Sequence, residues 1–557
     1  MEFSNFFSVQ KNNIENLHKM EIEQAHNMNH SNMIRNYLFS KRVNNINFPF
    51  SNNKNKTLLF TNNTFEPNVV TKNIEEIFTL FQTSQNISNI NKSQIDAIKS
   101  LLLEHLQKIR KELSKESISL SDAKNIFNNK TQSFIQLLFS DFYDPYIQLE
   151  SLWIINNLMY LIAKYNNNNF FIDVKSVSSS LIQCLINTHN SQRNDGVKYT
   201  LEEKILRIFG NLININNNII ESLINNQIIP FIINSLNSPI SSLRTTCLWL
   251  LNKILLALKK LEAGDYISLF VTKNAISNYK FILSRFEKQH SFDEIGELFW
   301  LLNELVKYDS VVLLSVFFTD APYSCINKED IIIYLNKELA LKNFEFVLDN
   351  CLTNKLFQPC FKMISNLLAV CAKNAKNEEL LNKLTECFFN KQSILRFIND
   401  VLNSPKNKYE YQLVKDILLL IFNLMSISAI KSSVLFKNGI TNLISGKEYQ
   451  NDNEIMKLLY FIYYKIRINN AFIFENNDEK VIQSILFIMG NFKDDSSVLI
   501  IFTDILFIHL NASHVKIGED IINEIQIISN SNDNIPLQML QNVLLKLSTY
   551  FRMNTPI

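Results

Sequence analysis

The sequence predicts an all-α protein assembled from stacked helical repeats, and three observations lead to this prediction. The chain of 557 residues contains only 8 glycines and 10 prolines, whereas proteins with tight strand turns or phosphate-binding loops need many glycines. Hydrophobic residues make up 46% of the chain, which is enough for a large buried core. From Val69 onward, apolar residues recur three and four positions apart, which is the spacing of amphipathic helices.

The first 65 residues differ from the rest because they are polar, rich in asparagine and nearly without apolar periodicity. They are predicted to form a flexible, mostly disordered arm with one short helical patch. After them helix follows helix, as in the apolar set Ile95, Ile98 and Leu102. Short polar clusters such as 237–239 provide the turns. The predicted organisation is an arm over 1–65 and a helical-repeat domain over 66–550.

One unit recurs along the chain: a helix that ends in an apolar–apolar–Asn signature, then a polar gap and a shorter apolar helix. The signature asparagines lie at positions 157, 211, 252, 303, 366 and 423, so the intervals are 54, 41, 51, 63 and 57 residues. The shorter intervals approach the period of about 40–47 residues that is typical of armadillo repeats, and the longer ones require loops. The recurrence predicts an armadillo-repeat solenoid, a right-handed superhelix of about 9–10 repeats.

The charge balance argues against nucleic acid as the main partner. The chain has 55 Lys and Arg against 53 Asp and Glu, a net charge of +2. A nucleic-acid-binding face needs a basic patch, which such a balance does not provide. Residues 1–20 lack the apolar core of a signal peptide, and the longest uncharged apolar stretch, 417–430, is too short for a membrane span. The chain is therefore expected to be soluble and intracellular.

Residues that carry catalysis or bind metals form no recognisable motif. The eight histidines show no H-E-x-x-H pattern, and the seven cysteines show no C-x-x-C spacing. Most cysteines lie in or beside apolar helical runs, which favours buried, reduced thiols. We therefore expect no enzyme activity, no metal and no cofactor, which leaves a protein that binds other proteins.

Stacked repeats of this kind leave one helix per repeat along a concave groove. Trp153 and Asn157 are four residues apart and share one helix face. Because an amide buried without partners costs roughly 1–3 kcal/mol, a series of asparagines is expected along the groove. There the amides can hydrogen bond with the main chain of an extended peptide. For any single Trp–Asn pair, ordinary core packing is the alternative.

The spacing of Glu150, Trp153 and Asn157, followed by the segments 209–212 and 244–252, carries a family resemblance. In this order they resemble the second, third and fourth repeats of importin alpha, the armadillo adaptor that carries nuclear-import cargo. The similarity extends over about 115–465. It implies an adaptor that shuttles between cytoplasm and nucleus and has three kinds of partner: cargo with extended basic signals, importin beta and an export receptor. It implies neither direct nucleic-acid binding nor membrane insertion.

The resemblance also implies which residues bind. In the family, tryptophans flank the long side chains of the cargo, asparagines hold its main chain, and acidic residues receive its basic side chains. The corresponding positions here are Trp153, Asn157, Arg207, Asn211, Leu248, Asn252, Asn366, Asp416 and Asn423. In the arm, the segment of about 31–48 resembles the importin-beta-binding segment, with Arg35, Lys41 and Arg42 as predicted contacts.

Departures from the family pattern leave two functions open. Arg207 and Leu248 stand where tryptophan is expected, and Trp249 is one position out of register. No acidic residue near Asn211 matches the one that receives a signal lysine, and an arginine in the groove would repel basic cargo. The chain is either an import adaptor with an altered signal site or an armadillo scaffold that holds other protein partners. Recovery of importin beta through residues 1–65 would distinguish them.

Overall fold

A computed structural model of the protein describes residues 65–469. The gaps within that range are 87–91, 116–117, 128, 140–143, 166–172, 192–195, 290–291, 320–335, 353–355, 374–377, 404–410, 429–430, 433–434, 437–438, 441–442 and 444–451. The predicted arm contacts Arg35, Lys41 and Arg42 lie outside the described residues, and so do the last predicted repeats, 470–550.

Every regular element of the described residues is helical, and their only β feature is an isolated bridge residue, Thr319. Helices α1 to α10 are Pro67–Asn86, Lys92–Leu113, Leu120–Ile126, Asn129–Leu138, Pro145–Tyr165, Val174–Asn190, Gly196–Ile215, Ile219–Asn225, Ile228–Ser235 and Ser241–Lys260. A 3-10 helix spans Gly264–Val271. Helices α11 to α19 are Lys273–Gln289, Phe292–Leu305, Val311–Phe318, Lys337–Asn350, Phe357–Lys373, Glu378–Asn390, Gln392–Leu402, Tyr411–Ile427 and Asn453–Asn469. The predicted all-α fold is confirmed.

The described residues divide into two compact units, 65–312 and 313–469. In the first, two short helices precede a long one: α3 and α4 lead to the 21-residue α5, and α8 and α9 lead to the 20-residue α10. Each long helix contacts the next, so that α2, α5, α7, α10 and α12 form a row. Repeats of three helices with stacked third helices are the armadillo arrangement, as predicted.

The second unit repeats this order by itself. Helices α16 and α17 precede the 17-residue α18. The long helix α15 contacts α18, which in turn contacts α19. A row of long helices therefore runs through this unit as well.

Polar linker residues define where the helices begin. Ser119 forms a capping box at α3, and Asp173 and Asn336 cap α6 and α14. Each side-chain oxygen accepts a hydrogen bond from a backbone N–H that has no partner inside its helix, which stabilises the helix by about 1 kcal/mol. Between α8 and α9, Gln227 adopts a left-handed φ of 56°, and the chain turns there without a glycine.

Two of the long helices, α10 and α12, are buried on all sides over several turns. Every residue of 243–255 in α10 and of 294–305 in α12 is buried. The buried set includes polar and charged residues such as Arg244, Asn252 and Lys253. Because such groups lose their hydration, they need partners inside the protein. Polar contacts between neighbouring long helices therefore become the feature on which a binding site depends.

Candidate protein-binding face of the long helices

Two of the predicted asparagines lie at junctions between consecutive long helices. Asn157 of α5 donates from Nδ2 to Ser114 Oγ beside the end of α2, at 3.2 Å. Asn211 of α7 donates from Nδ2 to Asn156 Oδ1 of α5, at 3.0 Å. Asn157 is 1% exposed and Asn211 is 6% exposed. Contrary to the expectation of amides open to a groove, these amides join neighbouring helices.

Asn252 of α10 is also buried, but it reaches forward along the row. Its Nδ2 donates to the Glu297 carbonyl oxygen of α12 at 3.1 Å. Asn157 and Asn252 share a second property: within the described structure, the Oδ1 atom of each is buried without a hydrogen-bond partner. Such an acceptor costs about 1–3 kcal/mol, and native proteins contain few of them. A main-chain N–H of an extended segment would satisfy either oxygen.

Trp153 is partly exposed, yet one face of its indole is covered by the chain itself. Lys204 of α7 places Nζ 3.6 Å from the centroid of the ring. At this distance the ammonium group is attracted to the negative face of the indole. Lys204 is only 7% exposed. The face predicted to flank a long cargo side chain therefore already contacts a lysine of the protein.

Arg207, another of the predicted binding residues, is paired with an acid. Its Nε donates to Glu203 Oε1 at 2.9 Å, and the hydroxyl of Ser242 in α10 donates to Glu203 Oε2 at 2.8 Å. Burial alone would raise the pKa of Glu203, but Arg207, Lys204 and Ser242 together hold it below its ordinary value. The carboxylate is therefore ionised at neutral pH, and it neutralises Arg207 locally.

Next to the predicted binding residue Leu248, it is Trp249 that packs between α10 and α7. Leu248 is 0% exposed, contrary to its predicted place on the binding face. Trp249, one residue on, is 4% exposed and lies against Gly210 of α7. A Cβ atom on Gly210 would lie 2.2 Å from the Trp249 ring, so only glycine leaves room for the indole. The rotation of α10 that brings Trp249 to this site buries Leu248.

The predicted residues of the second unit are also engaged. Asn423 donates from Nδ2 to Ser365 Oγ of α15 at 2.7 Å, and Asn366 is half-buried with a contact of its own. Asp416 is 1% exposed and lies 3.6 Å from Lys362 Nζ. Burial raises the pKa of Asp416, and Lys362 and nearby glutamines offset only part of that effect. The acid predicted to receive a basic cargo residue is thus paired within the chain.

The sequence analysis missed the residues that reach across the junctions, among them Asn156, Glu203, Lys204 and Lys465. Their partners lie about one repeat away, from 39 residues for Ser242 and Glu203 to 55 residues for Asn211 and Asn156. A search for complementary polar side chains at that separation would have found them. Residues three and four positions apart share a face of one helix, whereas these contacts join helices of consecutive repeats.

The remaining reactive side chains suggest no second site. Of the six cysteines in the described residues, all are free thiols, and Cys247, Cys351, Cys360 and Cys371 are buried, as predicted. Burial raises the pKa of Cys351 and of Cys371 to about 12, which suppresses the reactive thiolate. No group of three or more His, Cys, Asp or Glu side chains in the described part could hold a metal ion. None of its helices is long and apolar enough to span a membrane.

Comparison with known proteins gives structural neighbours only. No protein-family model matches the chain, and no curated protein matches it in sequence. An engineered protein is similar at a TM-score of 0.49 and 10% identity, over 86% of this chain and 99% of that one. A designed armadillo repeat protein in complex with the peptide (KR)4 is similar at a TM-score of 0.33 and 14% identity, over 51% of this chain and 99% of that one. A second designed armadillo repeat protein has a TM-score of 0.33 at 15% identity, with the same coverage.

Proposed function

We propose that the chain is an armadillo-repeat scaffold that binds an extended segment of a partner protein along α5, α7 and α10. The observation that carries the proposal is the pair of buried, unpaired Oδ1 atoms on Asn157 and Asn252. Both asparagines stand at positions where the sequence pattern predicts contact with a peptide main chain. Main-chain N–H groups of an extended segment are the donors that these oxygens lack.

The spacing of the long helices suits such a segment. Neighbouring helices pack at about 8–10 Å, so α5 and α10, which are separated by α7, lie about 16–20 Å apart. An extended chain covers that distance with about five or six residues. Both oxygens are buried in the unbound chain, so side chains near them must move when a segment binds. Binding is therefore expected to require a local rearrangement of the face.

Site-specific photo-cross-linking tests this proposal. A benzoylphenylalanine at position 153 keeps an aromatic side chain at the partly exposed Trp153. The matched control carries the same group at Ile186 of α6, which is 42% exposed. We expect partner adducts from position 153 and not from position 186. Sequencing of the adducts identifies the bound segment, which is then made as a synthetic peptide.

The synthetic peptide provides the decisive measurement. Asn157→Ala with Asn252→Ala is expected to raise its Kd by about fivefold or more, because two main-chain hydrogen bonds are lost (about 0.5–1.5 kcal/mol each). Helix content by circular dichroism is expected to be unchanged, since each substitution removes an unsatisfied oxygen as well as a bond. Identical adducts from both positions, or an unchanged Kd, would refute the proposal.

A nuclear import adaptor is the second candidate, and the Trp153–Asn157 pair on the long helix α5 favours it. Its requirements are more specific: importin beta bound through Arg35, Lys41 and Arg42, a basic cargo signal bound along the long helices, and shuttling between cytoplasm and nucleus. A pull-down with residues 1–65 tests the first requirement, and titration with a basic signal peptide tests the second. The pairs Arg207–Glu203 and Lys362–Asp416 argue for the scaffold, because an adaptor needs exposed acids and no competing cation.

A further inference from the structure

Two aromatic residues beside predicted peptide-binding asparagines are each covered by a lysine from the next long helix. In the first unit, Lys204 Nζ lies 3.6 Å from the centroid of Trp153, one turn from Asn157. In the second, Lys465 Nζ of α19 lies 3.8 Å from the centroid of Phe422, which directly precedes Asn423 and is 9% exposed. The same lysine–aromatic contact therefore occurs in both units, although Phe422 stands one residue before its asparagine and Trp153 stands four before.

Each lysine is fixed by additional contacts that orient its side chain. Lys204 Nζ is 3.9 Å from Glu203 Oε1, and the side chains of the two residues are 9% and 11% exposed. Lys465 donates to Ser426 Oγ, one turn beyond Phe422. Lys204 is buried and Lys465 is half-buried, so the contacts that hold each side chain reduce its rotamer freedom. Each ammonium group therefore stays over its aromatic ring.

An aromatic face that contacts one ammonium group rejects a second one. A cation within about 6 Å of the centroid is attracted by the ring quadrupole, which strengthens its binding by about 2- to 30-fold. A partner lysine or arginine would have to share that face with Lys204, and repulsion between two unit charges about 4 Å apart, at an effective dielectric constant of about 20, weakens binding roughly a thousandfold. Repulsion exceeds the attraction of the ring, so a basic segment is excluded while Lys204 is in place.

We infer that Lys204 and Lys465 determine specificity: each occupies an aromatic face that would otherwise accept a lysine or arginine, and so keeps basic segments off the long helices. This inference rests on the proposed function, because it states which class of partner segment the scaffold rejects. The partner segments that bind near Trp153 and Phe422 are accordingly neutral or acidic. Removal of either lysine converts a closed face into one that accepts a cation.

The peptide (KR)4, labelled with a fluorophore and titrated by fluorescence anisotropy, tests the inference on the full-length protein. Lys204→Met keeps the unbranched stem of the side chain and removes its charge, and Lys204→Gln is a second variant in case the first folds poorly. We expect both to bind the peptide at least tenfold more tightly than the unchanged protein. Adding Trp153→Ala to Lys204→Met should abolish the gain, because the exposed indole face is what binds the new cation.

A matched control separates this effect from the general loss of a positive charge. Lys108 of α2 has a side chain that is 48% exposed and pairs with Glu104 one turn away, so Lys108→Met makes the same charge change at an open surface. It should alter (KR)4 binding less than twofold. A similar gain from Lys108→Met, or no gain from either Lys204 variant, overturns the inference. Equally tight binding by the unchanged protein also overturns it and favours the import adaptor.

The Lys465 face is tested in the same way with Lys465→Met. Its control is Lys383→Met, because Lys383 has a side chain that is 47% exposed and pairs with Glu379. If Lys465→Met binds (KR)4 no more tightly than the unchanged protein does, the inference holds for Lys204 and Trp153 alone. None of these titrations uses the natural partner, so their failure is distinct from failure of the cross-linking experiment on the scaffold itself.

Discussion

A buried charge joins consecutive long helices in each unit, but the two charges are satisfied to different degrees. In the first unit, Arg244 of α10 is 0% exposed and donates from Nη2 to Glu294 Oε2 of α12 at 2.9 Å. Its Nη1 also donates to the Ser238 carbonyl oxygen at 2.7 Å. In the second unit, Asp416 of α18 accepts a hydrogen bond at Oδ1, whereas its Oδ2 is buried without a partner.

This difference indicates how strongly each buried charge stabilises the contact between its two helices. Removal from water costs each ion several kcal/mol, and the attraction between the ions offsets this cost only when their geometry is good and their hydrogen bonds are complete. The guanidinium of Arg244 has such partners on both sides. The raised pKa of Asp416 is the sign of an incomplete set, because burial there outweighs the attraction of Lys362. The first junction is therefore expected to be intolerant of change, and the second tolerant.

The largest effect is expected at the complete pair. Glu294→Gln leaves the buried Arg244 guanidinium without a compensating charge, so the unfolding free energy of the first unit should fall by about 3–5 kcal/mol. The urea midpoint, followed by circular dichroism, measures it. Glu379→Gln is the control, because Glu379 is an exposed acid that pairs with Lys337 and Lys383. If Glu294→Gln moves the midpoint no further than this control, the complete pair is not what holds α10 to α12.

The second prediction concerns steric packing at the neighbouring junction. Gly210→Ala places a Cβ atom 2.2 Å from the buried Trp249 ring, and overpacking of this kind typically costs about 1–3 kcal/mol. Gly196→Ala is the matched control, since nothing lies within 4 Å of a Cβ at that position. In a double-mutant cycle, Trp249→Ala should remove most of the cost of Gly210→Ala. If the losses of unfolding free energy from the two substitutions are additive, the Trp249 ring and Gly210 are not in contact.

Gly210 also shows how much the sequence could predict. The helices, their order and the recurring asparagines followed from apolar periodicity and repeat spacing, which are local properties of the chain. The contacts of Leu248 and Trp249 did not, because they depend on the rotation of α10 about its own axis. That rotation is set by the space at Gly210, 39 residues earlier in the sequence. The same limit applies to Lys204, whose position over Trp153 requires the relative rotation of two helices.

The third prediction concerns the pH dependence of stability that follows from another charged residue of the second unit, Lys465. Burial lowers the pKa of Lys465 to about 8, from an ordinary value of 10.5. Between these two values the unfolded chain binds more protons than the folded one, so stability should rise with pH. The gain is on the order of 1–3 kcal/mol and is complete near pH 10.5. Thermal melts from pH 7 to pH 10.5 should show the rise, and Lys465→Met should flatten it. A fall over this range in the unchanged protein, relative to the variant, would show that Lys465 is fully compensated.

The smallest effect is expected at Asp416 itself. Because its folded pKa is raised, the folded chain holds this proton more tightly than the unfolded one. Its contribution to stability is therefore largest at low pH and falls as pH rises from the ordinary value of 3.8 through the folded pKa.

Asp416→Asn removes the ionised form and leaves an amide oxygen to accept from Gln412, so stability at pH 7 should stay constant or increase by no more than about 1 kcal/mol. Urea midpoints at pH 4 and pH 7 measure this contribution, with the difference between variant and unchanged protein growing toward pH 7. A loss of 3 kcal/mol or more at pH 7 would put Asp416 in the same class as Glu294, and the contrast between the two junctions would then be lost.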